Sequence, residues 1–391
     1  MSVAATVYLK ECRESLRDRR VLLNALLLGP LLGPILFTMI LRVSIGMELD
    51  KADRPLPVVV VGAERAPNLI EALKQQGLVP RPPVADVDAA VRAQTIDVAL
   101  RISESYATDW DAGRPAQVEL IYDSSRRGNG TQVARLREML RFYERRTGVM
   151  RLVARGLSPA VGTPLVVADR DQATPQARGA LLFAMLPYFL ILTCFIGGIW
   201  LAIDSTAGER ERQSLEPLLA NPVPRGQILL GKLAACCTFS FTSLTLGLIA
   251  FVGAAHFLPV QQLGMTLNIG PRDVATILPI MIPLVLLIVI TQMLVSAFAK
   301  TYREAQTYLG LLQLVPIIPS ILLAVTPFNP PPWMYAVPLL GQQLAITQAL
   351  RGEVIAQTTL FLCTVTTLAA FGAVFFIARK IYESERLAVN A

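Results

Sequence analysis

Hydrophobic residues in this chain gather into long runs, at residues 21–43, 180–203, 231–257, 273–299, 305–326 and 355–379. Each run is about long enough to cross a hydrocarbon core of ~30 Å as a helix rising 1.5 Å per residue. The pattern therefore predicts an α-helical polytopic membrane protein with six transmembrane helices. Pro187, Pro279, Pro283, Pro316 and Pro319 fall inside these runs, and the first run holds Gly29-Pro30 and Gly33-Pro34. Kinks are expected at such positions, because neighbouring helices can satisfy the backbone groups that proline frees. Ahead of the first run, residues 1–20 set Lys10, Arg13, Arg17, Arg19 and Arg20 against Val7, Leu9 and Leu16. This reads as an amphipathic helix lying along the membrane surface. The basic region is too long for a signal peptide and no small-residue cleavage pattern follows Ile45, so residues 21–43 are read as a retained first span. The stretch from Pro327 to Gly352 is too proline-rich at its start to be one span. With Trp333, Tyr335 and a short helix near Gln342 to Leu350, it reads as a region at the outer interface.

Residues 44–179 follow a different pattern. Val58 to Val61 has the character of a buried strand, Asn68 to Gln76 of an amphipathic helix closed by Gly77, and Val87 to Thr95 of a further helix. Strands are expected at Asp97 to Ile102 and at Val118 to Tyr122, and a long arginine-rich helix from Gln132 to Leu157. Gly128-Asn129-Gly130 reads as a turn before that helix. Strands and helices alternating at this spacing predict a large α/β domain between the first and second spans.

Composition agrees with the runs: 53% of residues are hydrophobic and only 17% charged, and the mean hydropathy is +0.50. A net charge of +7 raises the question of nucleic acid, but the basic residues follow a membrane rule instead. Lys and Arg gather in the N-terminal segment and at Arg210, Arg212, Arg225, Lys232, Lys300, Arg303, Arg379, Lys380 and Arg386. The other short loops hold only Arg272 and Arg351. Both termini and the loop at 204–232 are thus expected in the cytoplasm, and residues 44–179 outside it. None of the five cysteines lies in that insert, so no disulfide framework is expected there. His256 is the only histidine, which leaves a histidine-based metal site or triad without its partners.

The loop at 204–232 is the densest charge cluster between spans. Its helical spacing puts Leu215, Leu218 and Leu219 on one face, with Glu209, Arg210, Arg212 and Glu216 around the rest. Pro217 and Pro222 punctuate it, and a second amphipathic turn begins at Arg225. The expected result is a two-part helical loop that presents charge to a soluble partner. Gly226 to Lys232 matches part of a phosphate-binding loop, but Leu233 stands where the Mg²⁺-binding Ser or Thr belongs, and a span follows directly. No ATPase motif is therefore read in this chain. Among polar residues inside the spans, Asn24, Thr193, Gln292 and Gln313 are candidates to line a pathway, although helix-to-helix hydrogen bonding explains such residues as well.

Gly208-Glu209-Arg210-Glu211-Arg212, then Ser214-Leu215-Glu216-Pro217-Leu218-Leu219, then Pro224-Arg225, Ile228 and Gly231-Lys232, resembles the signature of type-2 ABC-transporter permeases. Within that family the chain is most similar to the NatB-like sodium-efflux group. The order of interfacial helix, span, large outer domain and five further spans resembles the family too, so the likeness covers nearly the whole chain. It implies an exporter subunit that binds no cofactor itself and works with two copies of a separate ATPase, which would supply ATP and Mg. It also implies a second permease protomer, in a homodimer or heterodimer. Glu209, Arg210, Glu211, Arg212, Glu216 and Pro217 would then couple the permease to the ATPase. Sodium is one substrate the resemblance implies, and drug- or lipid-like compounds are another. An alternative from a different class is a membrane-anchored sensor or scaffold whose outer domain binds a ligand.

Overall fold

The structure is a computed structural model and describes residues 2–53, 55–124, 129–162, 184–214, 223–258, 270–325 and 330–383, with isolated residues 165, 170, 174 and 179. The chain divides into two compact units, one of residues 1–46 and 172–391, the other of residues 47–171. The first unit opens with α1 (Val3–Arg17), capped by the Ser2 hydroxyl, which accepts from the Ala5 N–H. A π-helical stretch, Leu22–Leu28, leads into α2 (Gly29–Asp53). The wider π turn displaces the normal backbone pairing, and the Ser243 hydroxyl donates to the Ala25 carbonyl within it at 2.8 Å.

The second unit contains a four-stranded sheet ordered β2-β1-β3-β4, with β1 parallel to β2 and β3, and β3 antiparallel to β4. Its elements in order are β1 (Leu56–Val61), α3 (Pro67–Gln75), β2 (Leu78–Arg81), α4 (Val87–Arg92), β3 (Val98–Ile102), α5 (Tyr106–Asp111), β4 (Val118–Tyr122) and α6 (Asn129–Ala154). The valine run of β1 is explained by cover on both faces. Val58 and Val60 pack with Leu69 and Leu73 of α3 and Leu136 of α6, while Val59 packs with Val87 and Val91 of α4. α6 begins at Asn129, so that residue opens the helix where the sequence suggested a turn.

The first unit resumes with α7 (Leu186–Ile203), α8 (Arg225–Ala255), α9 (Pro271–Phe298), α10 (Tyr302–Leu312), α11 (Ile317–Val325), α12 (Leu340–Leu350) and α13 (Gln357–Glu383). Among the described residues, six helical segments are long and apolar enough to cross a membrane: Leu22–Met47, Leu186–Glu211, Arg225–Ala255, Pro271–Phe298, Tyr302–Leu323 and Gln357–Glu383. α7, α8 and α9 meet through small residues. A Cβ on Gly197 would lie 2.4 Å from that of Ser243, so these backbones approach as only glycine allows.

In the run at 305–326 the interruption falls at Pro316, where a kink was expected: turns at 313–316 separate α10 from α11, within a segment, Tyr302–Leu323, long and apolar enough to span. The Pro316 carbonyl at this break accepts from Gln343 Nε2 (3.1 Å) and from the Ser320 hydroxyl (3.0 Å). The short helix expected near Gln342 to Leu350 is α12, buried and packed on α9. Gln342 is fully buried there, donating to Thr367 Oγ1 at 2.7 Å and accepting from the Leu339 N–H at 2.9 Å. Leu339 itself has φ +72°, a strained conformation for a branched side chain, held by that hydrogen bond.

Candidate functional site: the loop after the second span

α7 does not stop at Ile203. It widens into a π-helical turn, Asp204–Gly208, where the Thr206 hydroxyl lies 2.6 Å from both the Ala202 carbonyl and Ser296 Oγ of α9. Glu209–Glu211 completes the helix, which closes in a Schellman pattern. Ser214 N–H donates to the Glu209 carbonyl and Gln213 N–H to that of Arg210, each at 3.0 Å, with Gln213 left-handed at φ +55°.

The charges of this segment turn toward its own helices. Glu209, expected on the outward polar face, is instead buried, and this corrects the periodicity reading. Its carboxylate meets Lys232 of α8 at 2.5 Å and Lys10 of α1 at 3.4 Å. Glu11, only 3% exposed, lies 3.5 Å from Lys232 and 3.3 Å from Lys10. Two carboxylates and two ammonium groups thus alternate, and Lys232, with no solvent exposure, also donates to the Ser205 carbonyl at 2.8 Å. Such a cluster is tolerable away from water because each ion faces opposite charges. Partial burial works against the Lys10 ammonium, but Glu11, Glu209 and Glu14 outweigh it and hold its pKa above the ordinary lysine value.

The neighbouring charges act on helix ends. Arg210 Nη1 donates to the Ala299 carbonyl (3.3 Å) at the C-terminus of α9, where a cation complements the helix dipole. Glu211 Oε2 accepts the Tyr302 N–H (2.7 Å) at the N-terminus of α10, the mirror arrangement. Arg212 pairs with Asp204 at 2.7 Å on the surface. Glu216 and Pro217 lie outside the described residues. The described part of the loop therefore clasps α1, α8, α9 and α10 together.

Gly231 makes the contact with α1 possible. A Cβ there would lie 2.7 Å from both the Ala4 carbonyl and Val7 Cβ. The stretch 226–232 that partly resembles a phosphate-binding loop is helical throughout, forming the start of α8.

The four candidates inside the spans separate into two places. Asn24, Thr193 and Gln292 belong to the packing of α7 with its neighbours. Thr193 Oγ1 donates to the Phe189 carbonyl (2.8 Å), and the Asn24 carbonyl accepts the Gly29 N–H of the π turn. Gln292 is fully buried and its Nε2 donates to the Phe195 carbonyl at 2.9 Å, while Oε1 has no hydrogen-bond partner among the described residues. Gln313 stands apart, half-buried beside a cavity of about 340 Å³ that it lines with Trp200 and Gln306. Sequence reasoning missed Lys10 and Glu11 as partners of the loop, and the buried hydrogen bonds of Gln342 to Thr367 and of Gln343 to the Pro316 carbonyl. Only the odd charge in an apolar setting, Lys232 at the head of a span, signalled the first.

Among the described residues, six helices long and apolar enough to cross a membrane make this a polytopic membrane protein. The chain belongs to the family described as ABC-2 family transporter protein, whose pattern matches residues 5–379. It is 25% identical over 381 residues, 96% of each chain, to the ABC transporter permease protein NatB of Bacillus subtilis (strain 168).

Proposed function

We propose that this chain is the membrane-spanning subunit of an ATP-driven exporter whose ATPase is a separate protein. Family membership supplies the transporter-permease assignment. The observation that carries the coupling role is the cluster of Glu209, Lys232, Glu11 and Lys10. It joins the loop to the interfacial helix α1 and to the head of α8. A displacement imposed on the loop by a nucleotide-driven partner would move α1, α7, α8 and the α9–α10 corner together. Transmission of this kind needs packed elements with two discrete arrangements, and an ion-paired node is suited to linking them.

In this reading Arg212, half or more exposed, and the segment holding Glu216 and Pro217 contact the ATPase, while Glu209, Arg210 and Glu211 act as internal struts. Two ATPase copies and a second permease protomer complete the complex, and ATP and Mg bind only the ATPase. Both termini and the loop are cytoplasmic, with residues 44–179 on the outer side of a bacterial inner membrane, in agreement with the distribution of short-loop Lys and Arg. The substrate is sodium or a drug- or lipid-like compound, with Asn24, Thr193, Gln292 and Gln313 as pathway candidates. The Oε1 of buried Gln292, without a partner among the described residues, supports keeping that residue among them.

The partner is tested by purifying the tagged full chain from its native membrane in mild detergent and identifying what accompanies it by mass spectrometry. The expected result is a stoichiometric soluble ABC ATPase, lost on reversing the charges of Arg212 and Glu216. A chain that purifies intact and without any ATPase across several detergents overturns the reading.

A further inference from the structure

We propose that the α/β unit binds an amphipathic organic anion, with a flat apolar body and a carboxylate or phosphate head, in the cleft between α5 and α6. This goes beyond the transporter reading and rests on the geometry of that unit alone. The cleft measures about 450 Å³, within the range of small-molecule sites. One wall is a continuous run of rings. Tyr106 and Trp110 stack with centroids 5.7 Å apart and 14° between planes, and Trp110 and Tyr143 at 5.9 Å and 21°.

The other component is charge. Arg137, Arg141, Glu144, Gly148 and Arg151 all line the cleft, and spacings of four, three, four and three residues place them on one face of α6. Three guanidinium groups therefore meet a single carboxylate. Arg151 lies over the Trp110 ring, 4.2 Å from its centroid, and gives one N–H to the Trp110 carbonyl at 3.0 Å. A guanidinium has five donors, so this contact fixes Arg151 beside the rings while leaving most of its donors for an anion. Arg141 is exposed at the rim.

Gly148 is the least expected residue. A glycine in a helix interior costs about 1 kcal/mol relative to alanine, and packing normally explains its presence. Here a Cβ would meet nothing within 4 Å. The absent side chain keeps the cleft open beside the aromatic wall. Rings of this kind favour a flat apolar body, and the arginine excess selects an anion over a neutral molecule.

The test uses the full-length protein in nanodiscs of zwitterionic lipid, titrated by calorimetry with 2-naphthoate and with its neutral counterpart 2-naphthamide. Naphthoate should bind saturably and the amide at least about tenfold more weakly, a step of ~1.4 kcal/mol. Arg141→Gln and Gly148→Leu should each weaken naphthoate by a similar factor. The leucine fills the cleft and favours the helix, so its loss of binding would not come from unfolding. Nanodiscs containing phosphatidylglycerol separate two sources of the same chemistry. Competition by that lipid identifies a lipid anion as the occupant, and unchanged affinity identifies a soluble one. Absence of saturable naphthoate binding in zwitterionic nanodiscs overturns the proposal, as does equal affinity for the amide or indifference to both substitutions.

Discussion

Replacing Lys232 with methionine is expected to destabilise the protein by about 3–5 kcal/mol, the usual cost of removing one partner from a buried ion pair. The variant leaves Glu11 and Glu209, both almost wholly buried, to share Lys10, whose side chain is 45% exposed. The Ser205 carbonyl loses its donor as well. The effect should appear as a lower unfolding temperature of the purified chain, followed by size-exclusion chromatography of heated samples. Adding Glu209→Gln to Lys232→Met should recover a substantial part of the loss, because it removes one of the two stranded charges. Non-additivity of this sign is what contacting residues produce. A methionine variant that melts with the wild type would show that the node contributes little.

The second large effect is expected at Gly231. Alanine there must push α1 away, since both the Ala4 carbonyl and Val7 Cβ stand 2.7 Å from the added atom. Overpacking of this kind costs typically about 1–3 kcal/mol, and leucine should displace α1 from α8 altogether. Cys12 reports the displacement, because it is half-buried on α1 and burial raises its thiol pKa. Site-resolved maleimide labelling of Cys12 should accelerate at least about tenfold in Gly231→Leu, equivalent to ~1.4 kcal/mol less protection. Unchanged labelling would mean that α1 does not depend on the contact with Gly231.

These two residues show where sequence reading succeeds and where it stops. The spans were legible because each is a local property of some twenty consecutive residues, and β4 was legible because Val118 to Tyr122 alternates. β2 was missed: it has four residues, one of them Pro80, and lies at the sheet edge, where proline is tolerated. The break between α10 and α11 was legible at Pro316, although apolar residues continue through it. Its backbone is satisfied by Gln343, 27 positions further along the chain. Periodicity placed Glu209 among outward charges, since a helical wheel ranks polar residues by type and not by partner. Its partners Lys10 and Lys232 come from elsewhere in the chain, Lys10 from 199 positions away, and only the assembled packing brings them together. Arg210 and Glu211 were legible as a charged pair, but their use as helix-end ligands depends on where α9 ends and α10 begins.

In the proposed coupling, the ion-paired node carries motion between a separate ATPase and the spans. This coupling is tested most directly by measuring ATP hydrolysis in the reconstituted permease–ATPase complex carrying Glu209→Gln, alongside retention of the ATPase on the permease. The ATPase is expected to stay bound, since Glu209 is an internal strut, while the permease no longer alters its turnover. Wild-type regulation of turnover by the Glu209→Gln permease would contradict it.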